Sequence, residues 1–401
     1  MTPHRPILRS LGALLVLVPL ASGAQPTKAL VKAEAEFPEP FSSIVGIRVL
    51  RDGRVVVADN RDKVVQLVDL AKKTAVKIGR EGSGPSEYGL PGQLVALPGD
   101  TSAVFDPLNS RYLTILPDGK AGSTFRLEAK AAPAAPSPDG APRMMMQTIM
   151  PPRGADASGR LYFEGAPLVM GPNGPVASDS APVMRFDRKA QRYDTLAFVQ
   201  LAKNTAQVQS SSSGGNQRLS VNIGGAMPFP SRDAWSVGPD GTVTIVRVKN
   251  FALEIIAPNK QVTRGPAVPY TPVRVGSAEK EEYRDAQKRS PAMAIMRSND
   301  NGKVTTTAAP PPTSEPTEWP ATKPAFTSAV LTAPNGEIWV PRSRAASDEI
   351  PRYDVFSKDG TRVRTVTLPK KTRIVGFGNG GAIYTVRLDE DDLQYLQRFR
   401  G

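Results

Sequence analysis

The chain has 401 residues and a formal charge of +13, with no cysteine and a single histidine, His4. The lack of cysteine excludes disulfide scaffolds, zinc fingers and cysteine nucleophiles. The lone histidine lies in a segment that we expect to be removed, which excludes Ser-His-Asp catalysis and a haem held by histidine. Proline (39 residues) and glycine (34 residues) are both frequent, so long helices cannot dominate. The length suits one large all-β domain or two smaller ones.

The first 24 residues are typical of a secretory signal peptide. Arg5 and Arg9 precede the apolar run 11–20, and small residues lead to Ala24, where we expect cleavage. An uncleaved membrane anchor is the alternative, but the apolar run is short for a membrane span. No cysteine follows the run, which excludes a lipoprotein anchor. The mature protein, 25–401, is therefore expected to be periplasmic or secreted, without stable membrane insertion.

A unit of four short strands recurs along the chain. Its clearest copy has an Asp-Gly hairpin turn, Asp52-Gly53, between two apolar strands. The six copies occupy residues 44–78, 93–127, 158–199, 234–263, 328–368 and 373–399. The sixth copy lacks a fourth strand, which the alternating segment 29–37 can supply. This pattern predicts an all-β fold, a six-bladed β-propeller whose N-terminal strand completes the last blade.

The segment that joins the first two units, 79–91, has the sequence GREGSGPSEYGLP. This order of glycines, proline, glutamate and tyrosine resembles the connector between blades in six-bladed propellers of the NHL-repeat-like and TolB-like type. The stretch 57–66 also resembles the strand–loop–strand of that family. The resemblance is strong over residues 44–127 and implies a fold, not a chemistry. The family includes peptide- and protein-binding modules, RNA-binding domains and a few metal-dependent lyases and lactonases.

Three insertions have compositions that differ from the blades: 129–143 is rich in Ala and Pro, 207–217 in Ser, and 298–323 in Thr and Pro. Their low apolar content predicts flexible loops. Residues 277–290 are the one expected helix, capped by Ser277 and followed by Pro291. The helix and the flexible insertion, 277–323, would lie between blades four and five. They would form either an exposed decoration on these blades or a lid over the channel, with Met293 and Met296 as adaptable contacts.

Propellers usually bind ligands with the loops at one end of the central channel. Counting from each glycine turn to the end of the second strand selects one position per blade. In chain order these positions are Asp59, Asp106, Glu164, Arg247, Arg342 and Arg387. Three carboxylates followed by three guanidiniums predict a face that is acidic on one half and basic on the other, which would suit a zwitterionic or peptide-like ligand. The alternative is structural: the side chains would bond the backbone of neighbouring blades or form salt bridges.

No sequence motif requires a cofactor. Calcium stays open, because Asp59, Asp106 and Glu164 could surround a hard cation. The acidic run Asp389-Glu390-Asp391-Asp392 lacks the spacing of a calcium loop and is interpreted as a solvated loop.

Two functions remain. The first is an exported, monomeric binding or scaffold protein that recognises a peptide, protein or glycan of the cell envelope at the channel mouth. Nucleic acid is not expected as a partner, since the basic residues are scattered and the chain is exported. The alternative is a calcium-dependent hydrolase or lactonase.

Overall fold

The computed structural model describes residues 26–127, 151–165, 168–171, 174–202, 207–213, 216–222, 227–289, 294–300, 303–309, 315–316, 318–327 and 329–401. Within this part of the chain, six sheets of four or five strands form a six-bladed β-propeller, as the sequence repeat predicts. The expected signal peptide, 1–24, and the Ala/Pro-rich insertion 129–143 lie outside the described residues.

Each blade has strands a to d, with strand a nearest the axis. In this order the strands are Ile44–Val49, Val55–Asp59, Val64–Asp69 and Thr74–Lys77 in blade one; Leu94–Ala96, Ser102–Asp106, Arg111–Ile115 and Ala121–Phe125 in blade two; Gly154–Ala155, Leu161–Glu164, Ser180–Asp187 and Arg192–Gln200 in blade three; Ala234–Val237, Val243–Arg247, Ala252–Ile256 and Val262–Arg264 in blade four; Leu331–Thr332, Ile338–Pro341, Arg352–Phe356 and Arg362–Thr367 in blade five; and Thr372–Phe377, Ile383–Leu388, Gln394–Phe399 and Ala35–Glu36 in blade six. The a strands of blades six, one, two, three, four and five contact one another in that order.

The N-terminal segment closes the ring, as predicted. Ala35–Glu36 pairs antiparallel with Gln394–Phe399, and Phe37 beside it is only 1% exposed. The preceding strand, Thr27–Ala29, adds a fifth, parallel strand to blade five at Arg362–Thr367, which the sequence analysis did not predict. The first described residues therefore tie blades five and six together.

The core lies between successive blades. Strand Val55–Asp59 is buried at all five positions, because strand b is covered on both faces by neighbouring sheets. In the core between blades one and two, Val56 and Val104 are fully buried, and each such side chain contributes about 1.5–3 kcal/mol.

The two ends of the propeller differ in their connections. All six a–b turns are five residues long, and the c–d turns of blades one to five have four or five residues. A glycine with positive φ recurs in the a–b turns; Gly53 has φ +89° in the first. We call this end the turn face. The b–c loops and the d–a connectors lie at the opposite end, which we call the insertion face.

Every described insertion belongs to the insertion face. The b–c loop of blade three carries the hairpin Leu168–Gly171 and Gly174–Ala177. The connector from blade three to blade four carries the hairpin Gln207–Ser213 and Asn216–Asn222. The connector from blade four to blade five begins with a short stem, Val273–Arg274 paired with Thr322–Lys323.

Two of the insertions that were expected to be flexible loops contain paired strands among their described residues. The strands Gln207–Ser213 and Asn216–Asn222 overlap the Ser-rich segment. The strands Ala294–Asp300 and Lys303–Ala309, which pair antiparallel, overlap the Thr/Pro-rich segment. The residues between the paired strands are Gly-Gly in the first case and Asn-Gly in the second, and both dipeptides favour two-residue hairpin turns. The overall composition of the insertions does not reveal these turn dipeptides.

The inserted helix, α1, spans Ser277–Arg289, in agreement with the predicted 277–290 as far as the described residues reach. Its cap differs from the prediction. Gly276 is the capping residue: its carbonyl accepts from Lys280 N, and its N–H donates to Glu279 Oε2 at 3.0 Å. Ser277 is therefore the first helical residue, and Glu279 supplies the reciprocal bond of a capping box.

Candidate ligand-binding face

The six predicted ligand residues occupy equivalent places on the insertion face. Each lies at or next to the end of strand b in its own blade, and we call this set the outer ring. Its members are Asp59, Asp106, Glu164, Arg247, Arg342 and Arg387. As ligand contacts they stay a prediction, and the partners that each side chain already has are described next.

The carboxylate of Asp59 is enclosed by backbone N–H groups. Asp59 Oδ2 accepts from Ser42 N at 2.7 Å and Ser43 N at 3.0 Å, and Oδ1 accepts from the N–H groups of Arg61 and Asp62. The residue is 1% exposed. Asp59 thus joins the segment that enters strand a to the b–c turn of the same blade.

Asp106 joins the corresponding connector and b–c turn in blade two. Its two oxygens accept from Gly89 N at 3.1 Å, Leu90 N at 3.2 Å and Asn109 Nδ2 at 2.7 Å, and the residue is fully buried. Both aspartates bond the connector that enters their own blade, whereas the structural alternative expected the backbone of a neighbouring blade.

Glu164 joins two blades. Its Oε1 accepts from Arg232 Nη2 at 2.6 Å and its Oε2 from Trp235 Nε1 at 2.9 Å, both in or next to strand a of blade four. Arg153 Nη2 lies 3.0 Å from Oε2. Burial alone would raise the pKa of Glu164, but Arg153 and Arg232 outweigh it and hold that pKa below its ordinary value.

Arg247 is balanced by two carboxylates. It pairs with Asp233 Oδ2 at 2.7 Å and with Glu254, and Nη1 also donates to Phe198 O at 2.9 Å. Burial would lower the pKa of Arg247, but these carboxylates reverse the effect and raise it. Asp233 additionally accepts from Val248 N at 2.9 Å, so it performs in blade four the task of Asp59 in blade one.

The last two outer-ring arginines also have carboxylates beside them. Arg342 Nε lies 3.4 Å from Asp354 Oδ2. Arg387 makes two 3.0 Å bonds to Glu36 and lies 4.6 Å from the ring centre of Tyr395. These bonds to Arg387 lower the pKa of Glu36. A charged partner of opposite sign therefore lies within 4 Å of Glu164, Arg247, Arg342 and Arg387, which weakens the predicted contrast of an acidic and a basic half.

The acidic outer-ring residues do not fit a calcium site. Asp59, Asp106 and Glu164 share no bonded partner, and their oxygens already accept from N–H donors, which a cation would have to displace. In the part of the chain that the structure describes, no group of three or more His, Cys, Asp or Glu side chains is arranged to hold a metal ion. We therefore derive no reaction step through a metal.

Helix α1 lies on the insertion face, supported by blade five and by the entrance to blade four. Glu279 Oε1 accepts from Ala346 N, in the b–c loop of blade five, at 3.0 Å. Tyr283 packs with its ring centre 5.6 Å from that of Phe229, shortly before strand a of blade four. Met293 and the side chain of Met296, which were expected to serve a lid, lie outside the described residues.

A cationic and aromatic surface accompanies the helix. Lys280 and Arg284 lie 5.4 and 5.6 Å from the ring centre of Trp319, which itself packs on Tyr283. Lys323 lies 4.6 Å from the ring centre of Phe229 and donates to Glu282. Arg284 is itself paired with Glu315, with Nε 2.9 Å from Oε1, so the arrangement offers aromatic stacking area among largely compensated charges.

A second set of residues lies closer to the axis and was missed by the sequence analysis. In each blade, the register of strands a and b, extended where necessary, pairs the outer-ring residue with one residue on the side of strand a. The next residue along the chain belongs to a second set, which we call the inner ring. Its members are Val45, Gln93, Arg153, Ala234, Ala329 and Arg373. The sequence analysis counted positions along strand b alone. The same count along strand a selects the inner ring.

The chain matches no family model and no curated protein. Similar solved structures include a member of the DUF4221 family from Bacteroides vulgatus, which is 8% identical with a TM-score of 0.45, the match covering 92% of this chain and 97% of that one. A candidate exported protein from Bacteroides fragilis is 10% identical with a TM-score of 0.44 (93% and 98% covered), and a gluconolactonase from Xanthomonas campestris is 9% identical with a TM-score of 0.40 (91% of each). Values this low carry no inference about ligand or activity.

Proposed function

We propose that this chain is an exported, non-catalytic binding or scaffold protein, which recognises a peptide, a protein or a glycan of the cell envelope with its insertion face. One observation carries the proposal: every described insertion leaves from the b–c or d–a connections, while the turn face keeps four- and five-residue turns in each blade. Insertions cost chain entropy, and loops held by a rigid scaffold are where binding residues concentrate.

The side chains on this face support binding rather than bond-breaking chemistry. The outer-ring carboxylates accept from backbone or arginine N–H groups, which leaves them poorly placed as general bases. Lys280 and Arg284 beside Trp319, with Glu315 paired to Arg284, instead provide an aromatic surface of mixed charge for a peptide segment or a sugar ring.

Localisation belongs to the same proposal. The basic start, apolar run and small residues that end at Ala24 support export, with cleavage near that residue. Among the described residues, no helix is long and apolar enough to cross a membrane.

Native mass spectrometry of the mature protein, purified from its own envelope fraction at low salt, tests the proposal. We expect a co-purifying peptide, protein or glycan that dissociates as salt is raised, because salt screens the attraction between an anionic envelope ligand and the net positive charge of the chain. A chain that carries no ligand at low salt, or a chain that hydrolyses lactones with one bound divalent ion, would contradict it.

A further inference from the structure

A cavity of about 500 Å³ lies on the turn face, between blades five and six. Its floor consists of apolar side chains from the core between these blades, which include Leu30, Trp339, Val366 and Ile383. Each of these four residues is at most 5% exposed, so the cavity reaches into the molecule. Phe377 also lines it, with its ring centre 5.3 Å from that of Trp339. The volume falls within the range of small-molecule sites, about 300–1,000 Å³.

The strand register of blade five places one wall of the cavity on a single face of the sheet. Trp339 pairs with Val355, which pairs with Arg364, and directly paired residues point to the same side of a sheet. The guanidinium of Arg364 accordingly lies 5.6 Å from the ring centre of Trp339. Val366 is two residues after Arg364 and pairs with Lys28, so both of these side chains leave from the same face.

The a–b turn of blade six borders the cavity without filling it. In three other blades, this turn carries an Asp or Asn whose side chain accepts from the N–H group two residues later: Asp52, Asp240 and Asn335. The equivalent residue of blade six is Gly380, which has no side chain. A Cβ at Gly380 would have nothing within 4 Å, so this part of the rim is open.

The rim of the cavity carries one positive charge in excess. Glu337 accepts two bonds from Arg364, at 2.6 and 2.7 Å, so these two charges balance each other. Lys28 also lines the cavity and is exposed, and no salt bridge among the described residues includes it. Asn335 and Asn379 add uncharged amides. The matching ligand has an apolar body and a single negative charge.

We propose that this cavity is a second binding site, which takes a small aromatic carboxylic acid. The aromatic ring of the ligand would lie against Trp339 and Phe377, and its carboxylate would pair with the ammonium group of Lys28. This inference goes beyond the proposed function, which concerns envelope ligands of the insertion face.

Isothermal titration of the mature protein with 1-naphthylacetate and with its uncharged amide, 1-naphthylacetamide, tests the site. We expect saturable one-to-one binding of the acid, and binding of the amide that is at least fivefold weaker. Lys28→Gln should lower the affinity for the acid to nearly that for the amide, and it should change the affinity for the amide less than twofold. A residue with a merely structural role would affect both probes alike.

Lys32→Gln is the matched control, because it removes one exposed positive charge from the same N-terminal segment but does not line the cavity. It should change the affinity for either probe less than twofold. Equal affinities for the acid and the amide, equal losses in Lys28→Gln and Lys32→Gln, or no saturable binding by the wild-type protein would overturn the inference.

Phe377→Ala tests the aromatic wall. It should weaken the binding of both probes about tenfold, because it removes the ring next to Trp339. Circular dichroism must show that this variant stays folded; if it unfolds, Phe377→Leu, which keeps most of the apolar volume, should still weaken both probes at least threefold. Unchanged affinities in the folded variant would place the probes elsewhere and contradict the site.

Discussion

The two faces of this propeller lie at opposite ends of the same strands, and they differ in the length and content of their connections. On the turn face, short turns of fixed length repeat from blade to blade, and glycines such as Gly53 and Gly336 supply nearly the same positive φ. On the insertion face, connection lengths vary from four residues to tens of residues, and they carry hairpins and a helix.

Two aspartates, one on each face, differ in the burial of their polar contacts. A turn-face aspartate such as Asp52 is half-exposed and bonds Arg54 two residues away. Asp59 on the insertion face is buried and bonds segments 16 and 17 residues away. Long-range ties occur on the turn face as well, since Asp100 in the a–b turn of blade two accepts from Arg51 N, 49 residues away. The difference lies in burial: the carboxylate of Asp59 is enclosed by four backbone N–H groups, so its partners cannot turn to water.

The largest expected effect comes from Glu164→Gln. The change leaves Arg153 and Arg232 without their shared negative charge, so we expect the free energy of unfolding at pH 7 to fall by about 3 kcal/mol. The matched turn-face variant is Glu337→Gln, which removes the half-buried partner of Arg364 and should cost about 1 kcal/mol. Urea denaturation of both variants measures the difference, and equal losses would contradict it.

The pH dependence of stability should depend on the same carboxylate, Glu164. Because the folded-state pKa of Glu164 is lowered, its contribution is present above the unfolded-state pKa of about 4.5 and is lost as pH falls through the folded-state value. Wild-type stability should therefore decrease as pH falls below about 4.5, and Glu164→Gln should show a shallower decrease.

Asp59→Ala should cost about 3 kcal/mol, because four backbone N–H groups lose their acceptor in a buried place. Asp52→Ala on the turn face should cost roughly 0.5–1 kcal/mol, since its partners can bond water. The midpoints of urea unfolding compare the two. A small effect at Asp59 would show that the long-range tie is dispensable.

Glycine substitutions sharpen the comparison further. An alanine Cβ at Gly79, in the connector of the insertion face, would lie 2.6 Å from Ser86 O, whereas nothing lies within 4 Å at Gly53. Both residues have positive φ, so Gly79→Ala should cost about 2 kcal/mol and Gly53→Ala about 1 kcal/mol. Thermal unfolding checks the order; the opposite order would contradict it.

A small and local effect is expected for Glu279→Ala, which removes the acceptor of the Gly276 and Ala346 N–H groups. A loss of about 1 kcal/mol should loosen helix α1 without opening the blades. Faster tryptic cleavage after Lys280 or Arg284, with an unchanged global midpoint, is the expected readout. Asp285→Ala, on the exposed side of the same helix, is the control.

Much of this fold could be predicted from the sequence, and the reason is its repetition. The Asp-Gly turn at Asp52-Gly53 and its counterparts recur with strands of regular spacing, so local turn chemistry repeats the same signal in each blade. Closure by 29–37 followed from a missing strand. The parallel pairing of Thr27–Ala29 with blade five could not be predicted, because pairing with a strand far away in the sequence leaves no local signal.

The candidate site was less accessible to prediction. The position of the outer ring could be counted, but the partners of Glu164 and Arg387 lie 68 and 351 residues away, so their charge neutralisation is a tertiary property. The contacts of Arg373 were not predictable either, because it bonds Ile44 O and Gln394, 329 and 21 residues away in the sequence.

The measurement that tests the central claim most directly is the affinity of two variants for the ligand found by native mass spectrometry. In the first, Asn-Gly replaces 276–320, since Val275 N bonds Ala321 O and a two-residue turn can close the stem. In the second, Lys72→Glu and Lys120→Glu reverse two exposed charges on the turn face. The account predicts at least a tenfold loss in the first variant and less than a twofold change in the second. Equal affinities, or a larger loss in the second variant, would contradict it.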